Sequence, residues 1–222
     1  MTTGWLALVG GQEWTDGTRP IDELLLKESG AKEVLVVATA AAYEQPKKIV
    51  EAAGEYFGEL GAKVKSADVY GRSAAMDKAA VKAVRAAKLV YFGDGSPLHA
   101  RSVFKDTPWW DALVEAWNDG AAVAGTGAGA MILGDPMVDP RGGAFTLGLG
   151  LIPSLAAMTK TQDWHHETKR RTIQLATKGL PLVAVDEATA ALRTPQGEWS
   201  VLGVGAATVY VDGAEVPLSR LP

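Results

Sequence analysis

The sequence predicts an α/β fold, a three-layer α/β/α sandwich around a mostly parallel central sheet, with a turn-rich C-terminal β region. Three observations predict it. Short apolar runs alternate with amphipathic stretches through the first half of the chain. Those stretches tend to open on proline and close on glycine. After Gly134 the texture changes to brief apolar runs split by turn residues. Strand alternating with helix builds βαβ units, and these give parallel sheets.

In chain order, residues 5–9 read as the first strand. Residues 21–29 form a helix that follows Pro20 and stops at Gly30, and 33–38 form the second strand. A helix over 47–60 follows Pro46 and ends at Gly61. Residues 62–67 are a strand, 75–87 an alanine- and lysine-rich helix, and 89–92 a strand. The helix over 109–118 follows Pro108 and ends at Gly120. Proline suits the first helical turn because its missing N–H is not needed there, and glycine suits the left-handed residue past the end. Residues 121–124 are a buried strand leading into an apolar helix. Residues 135–150 read as a long loop or hairpin, and 167–177 as one more helix. Short strands over 182–185, 188–193, 199–202 and 208–211 are separated by Pro195-Gln196-Gly197 and Asp212-Gly213.

A chain of 222 residues with no linker, repeat or low-complexity tract reads as one domain spanning 1–222. At 47% hydrophobic and 22% charged residues it can bury a sizeable core. A net charge of -4 offers no basic surface for nucleic acid. The absence of cysteine excludes disulfides, thiolate catalysis and cysteine metal sites. No His, Asp and Glu cluster has metal-ligand spacing, so neither metal nor cofactor is expected. The start of the chain lacks a basic leader, and its apolar run is too short for a signal peptide or a membrane span. A cytoplasmic protein without membrane contact is the expectation.

Residues 121–134 read AAVAGTGAGAMILG. A strand, a sharp glycine turn and a helix make up a nucleophile elbow, G-x-Nuc-x-G, which lifts one side chain above the sheet. Here the slot between Gly125 and Gly129 holds Gly127. Two further glycine-rich loops follow strands: Gly10-Gly11-Gln12-Glu13 and Gly93-Asp94-Gly95-Ser96. Ligands of an open parallel sheet gather beyond the carboxyl ends of its strands, and glycine lets the backbone approach them. The three loops together predict a site.

These segments, with GLGLIPS at 148–154 and DEATA at 186–190, resemble the peptidase E and cyanophycinase family of the class I glutamine-amidotransferase-like fold. The resemblance covers nearly the whole chain. It implies amide hydrolysis by an elbow serine, a histidine base, a carboxylate behind it and backbone oxyanion donors, on small acidic peptides or amides, and it suggests a homodimer. Carried over residue by residue, the pattern departs at four places. The serine position is Gly127. Counting on from Pro153 without a gap places Lys160 at the histidine position. Asp94 stands at the second glycine of a GG loop, and Gln12 at the third glycine of the first loop. Glu187 matches the carboxylate. A competing alignment with a loop insertion makes His165, in Asp163-Trp164-His165, the base.

Several readings follow. In the first, the chain is a pseudoenzyme that has lost serine hydrolysis and binds a small molecule or short peptide, with Lys160 and Asp94 neutralising each other. In the second, catalysis persists without serine, using Lys160 or His165 with Glu187, or a redirected Thr126. In the third, Gly125–Gly129, with the N–H groups around Ala128, cradles a small anion. The G-x-G-x-G spacing is not the dinucleotide fingerprint. Trp14 and Trp164 are candidate walls of the pocket, and Arg141 in Asp139-Pro140-Arg141-Gly142-Gly143 is a candidate carboxylate clamp. His99 reads as structural.

Overall fold

The computed structural model describes residues 3–141 and 143–222. Met1, Thr2 and Gly142 lie outside the described residues. Seven strands form the main sheet in the order Trp199–Gly203, Thr189–Arg193, Leu6–Val9, Ala122–Thr126, Leu89–Phe92, Glu33–Val37, Lys63–Ser66. The five strands from Leu6–Val9 to Lys63–Ser66 are mutually parallel, and the two C-terminal strands pair antiparallel at one side.

The central strands are buried on both faces, and their alternation divides the interior in two. Leu6 and Leu8 join Phe92, Phe104 and Trp109 on one side. Ala7 and Val9 join Leu25, Phe57 and Tyr91 on the other. A period of two side chains per strand produces this split, and helices cover each face. Helices Arg19–Ser29 and Pro46–Glu59 supply one layer. Helices Pro97–Phe104, Pro108–Asn118 and Ala128–Leu133 supply the opposite one. The three-layer α/β fold expected from the sequence is therefore present.

Details differ from the sequence reading. The stretch expected as one helix over 75–87 is broken into Arg72–Ala75 and Lys78–Arg85, because the Asp77 side chain accepts from the N–H groups of Ala79 and Ala80 and starts a new helix. The loop over 135–150 contains a minimal hairpin, Met137–Val138 against Phe145–Thr146. Ala156–Thr159 is a strand that sequence reading did not assign. It opens a second, four-stranded sheet with Leu182–Val185, Ala207–Val211 and Ala214–Val216. Helix His166–Leu175 packs beside it and buries only Thr172 fully. Among the described residues no helix is long and apolar enough to cross a membrane.

Candidate functional site

Register places the three glycine loops side by side. Val9 lies opposite Thr126, and Phe92 opposite Gly125, so the chain leaves all three strands at one level. Gly127 turns the backbone with φ 52° and ψ -118°, a conformation side-chain-bearing residues rarely take. Its N–H donates to the Val9 carbonyl at 3.1 Å, which fixes the elbow to the first strand.

The space above Gly127 is filled by Asp94. A Cβ built on Gly127 would lie 2.1 Å from Asp94 Oδ1 and 2.3 Å from its Cγ. Asp94 Oδ1 accepts from the N–H of Ala128 at 2.7 Å and of Gly95 at 2.8 Å. The N–H that follows the elbow residue, here that of Ala128, is a donor that an amide hydrolase of this geometry aims at a developing oxyanion. Here a permanent carboxylate takes it, together with the Gly95 N–H. Asp94 Oδ2 lies 2.6 Å from Lys160 Nζ.

Lys160 reaches this position from the second sheet. It follows Ala156–Thr159 in a left-handed conformation, and its N–H donates to the Gly10 carbonyl at 2.9 Å. Gly11 makes room for it, since a Cβ there would sit 3.0 Å from Lys160 Cε and 3.3 Å from Glu187 Cγ. Burial pushes the Lys160 ammonium down, but the hydrogen bond and charge of Asp94, with the charges of Glu13 and Glu187, outweigh it and hold the group above its ordinary value. An ammonium held charged is a poor general base. Replacing Lys160 with alanine should lower the unfolding free energy by about 1 kcal/mol, a small figure because solvent screens a pair that is partly exposed. Urea denaturation measures it, and an unchanged midpoint would show that the pair contributes nothing.

Glu13, the last residue of the Gly10–Glu13 loop, also joins the site. It accepts from Thr126 Oγ1 at 3.1 Å. Burial raises its carboxyl above the usual carboxylate range and the Asp94 charge adds to this, while its backbone hydrogen bond, Thr126 and Lys160 oppose. Thr126 therefore faces Glu13. Gln12 Nε2 donates to Glu187 Oε2 at 2.7 Å, and the Glu187 N–H donates to Gln162 Oε1 at 3.1 Å. The signal for Glu13 was its position on the strand-end loop; its burial was not visible.

A cleft of about 370 Å³ opens over the Asp94–Lys160 pair. Its lining includes Pro97, Ala128, Met131, Pro140, Asp163 and Trp164. Trp164 is fixed by its Nε1–H donating to the Thr159 carbonyl at 2.9 Å. Trp14 lies elsewhere: it packs on Tyr91 with ring centroids 5.8 Å apart and edges a different groove. His165 is exposed, and its Nδ1 accepts from the Glu167 N–H as a helix cap. Arg141 folds back on Asp139 at 2.6 Å with its side chain 75% exposed. His99 Nε2 contacts the Tyr70 carbonyl at 3.1 Å, and its ring packs edge-on against Tyr43. The structure thus gathers Gly10, Gly11, Gln12, Gly93, Asp94, Thr126, Gly127, Ala128, Lys160, Trp164 and Glu187 at one sheet edge. It leaves His165 on the surface and pairs Arg141 with a neighbour. Among the described residues, no group of three or more His, Cys, Asp and Glu has the arrangement of a metal site.

Comparison with known proteins follows the same outline. The family model described as Peptidase family S51 matches residues 6–146. A cyanophycinase of Nostoc sp. is 27% identical, covering 97% of this chain and 76% of its own length. A cyanophycinase of Synechococcus elongatus is 22% identical, covering 96% and 69%. Among solved structures, a peptidase from an acI-B1 Actinobacterium superposes with a TM-score of 0.85 at 25% identity, covering 96% of this chain and 93% of that one. A putative peptidase E from Listeria monocytogenes shares the fold with a TM-score of 0.69 at 16% identity, over 91% and 100% of the two chains.

Proposed function

Because the chain belongs to peptidase family S51 yet carries glycine at the elbow, we propose that it is a peptidase-fold protein that has lost serine hydrolysis and binds a small molecule or short peptide in the cleft. One observation carries this reading. The Asp94 carboxylate occupies the volume of the missing nucleophile and takes the N–H groups of Gly95 and Ala128. A substrate carbonyl would find neither an attacking group nor free donors. Loss of the serine alone from a comparable triad costs roughly 10⁶ in turnover, and loss of the donors removes much of what would remain.

The test is an assay of the unmodified chain on aspartyl dipeptides and simple amides. No turnover above the uncatalysed background is expected. Hydrolysis at ordinary enzymatic rates with Gly127 intact would sink the reading. The same reading takes the protein as a homodimer, as the resemblance to the peptidase E and cyanophycinase family suggests; analytical ultracentrifugation giving a monomer at micromolar concentration would remove the dimer from it.

A further inference from the structure

The Asp94 carboxylate is held as a bound ligand would be. Oδ1 accepts from the N–H groups of Gly95 and Ala128, and Oδ2 meets Lys160 Nζ at 2.6 Å. The three donors come from three separate segments: the loop after Leu89–Phe92, the elbow, and the residue that follows Ala156–Thr159. They converge on a single carboxylate and serve both of its oxygens. The cleft above them presents Pro97, Met131, Pro140 and the Trp164 ring. The occupant is not locked in, because 26% of the Asp94 side chain is accessible and its loop opens onto the cleft.

We propose that this cleft is a receptor for small organic monocarboxylates with an apolar body, and that Asp94 is its resident occupant, displaced when such a ligand binds. The proposal rests on the non-hydrolytic reading above and names the ligand class of that same site. Displacement exchanges one carboxylate for another on the same donors. The two N–H groups stay satisfied and the Lys160 ammonium stays paired. Rotation of Asp94 into the open cleft frees the position. The incoming molecule adds what Asp94 lacks, an apolar body against Trp164 and Met131. A neutral amide would leave Lys160 unpaired and is rejected. A second negative charge on the ligand would meet Asp163 at the rim and the displaced Asp94, which restricts the class to monocarboxylates.

The resident carboxylate weakens binding by the fraction of time it holds the donors. A position free for a tenth to a hundredth of the time weakens apparent affinity by roughly 10- to 100-fold. Calorimetric titration with phenylacetate reads this directly. Asp94→Ala is expected to bind phenylacetate roughly 10- to 100-fold more tightly than the unmodified chain. Asp94→Asn, which keeps the side-chain shape and gives up the charge, is expected to gain affinity to a smaller extent. Adding Lys160→Met to Asp94→Ala should abolish the gain, and phenylacetamide, which brings no charge to Lys160, should gain less than phenylacetate from Asp94→Ala. Circular dichroism checks that each variant is folded. Folded Asp94→Ala and Asp94→Asn that bind phenylacetate no better than the unmodified chain would overturn the proposal. So would an equal gain for phenylacetamide. Failure of the non-hydrolytic reading has a separate signature, which is amide turnover by the unmodified chain.

Discussion

Gly127→Ser alone is expected to leave the protein inactive and to destabilise it by about 3 kcal/mol, the sum of a strained backbone conformation and an overpacked site. The new Cβ would lie 2.1 Å from Asp94 Oδ1, so the two side chains cannot share the space. Asp94 has to rotate, giving up Gly95, Ala128 and Lys160 together. The elbow angle, φ 52°, adds strain for a residue that carries a Cβ. Combining Gly127→Ser with Asp94→Gly removes the clash and empties the oxyanion position. Lys160 then loses its nearest counter-charge, and burial, the largest influence on it, works toward the neutral amine. The double variant should recover measurable hydrolysis of aspartyl dipeptides, rising with pH as Lys160 gives up its proton. Urea denaturation and a dipeptide assay on the two variants decide the matter. A single variant as stable as the parent would show that Asp94 moves without cost.

Asp22→Asn should change the pH dependence of stability by up to about 4 kcal/mol, from the size of the carboxyl shift. Asp22 is fully buried on helix Arg19–Ser29, where Oδ2 accepts from the Tyr56 hydroxyl at 2.8 Å and Oδ1 has no partner. The Tyr91 hydroxyl beside it makes no well-formed hydrogen bond. Burial pushes the Asp22 carboxyl up to about 7; the Tyr56 hydrogen bond and, more weakly, the nearby Thr18 and Tyr91 hydroxyls oppose it, and the Glu13 charge acts with burial. The folded protein therefore keeps this proton at pH values where the unfolded chain has released it. Stability falls as pH rises from the ordinary aspartate value of 3.8 to about 7 and is flat beyond. Asparagine does not titrate, so the variant should match the parent near pH 4 and exceed it increasingly toward neutrality. Denaturation midpoints measured across that range check the sign, and a constant difference at every pH would refute it.

The parts of this fold that sequence could show are those governed by local chemistry. Pro20, Pro46 and Pro108 mark helix starts, and Gly30, Gly61 and Gly120 mark their ends, because each residue type suits only one end of a helix. The elbow at Gly125–Gly129 was legible because its glycines are forced. A Cβ on Gly129, for example, would lie 2.5 Å from the Phe92 carbonyl oxygen. Strand Ala156–Thr159 was not legible, since three apolar residues and a threonine in a loop-rich stretch carry no period and it acquires its partner from distant residues Leu182–Val185. Asp22 reads as an ordinary acidic residue in the first turn of a helix; only the packing of Tyr56 and Tyr91 over it reveals its burial. At the site, the opposition of Lys160 and Asp94 follows from the family resemblance carried over residue by residue, and the two do meet. The capture of Gly95 and Ala128 by Asp94 depends on one side-chain rotamer, which no pattern of letters encodes.

The filled volume above Gly127 also bears on how this chain can change over generations. A serine introduced at the elbow meets Asp94, while a glycine introduced at position 94 empties a hole that has nothing to serve. Neither step alone is rewarded, and the first is penalised. The carboxylate acts as a ratchet: on the reading proposed above, a serine at the elbow becomes useful only if position 94 changes with it.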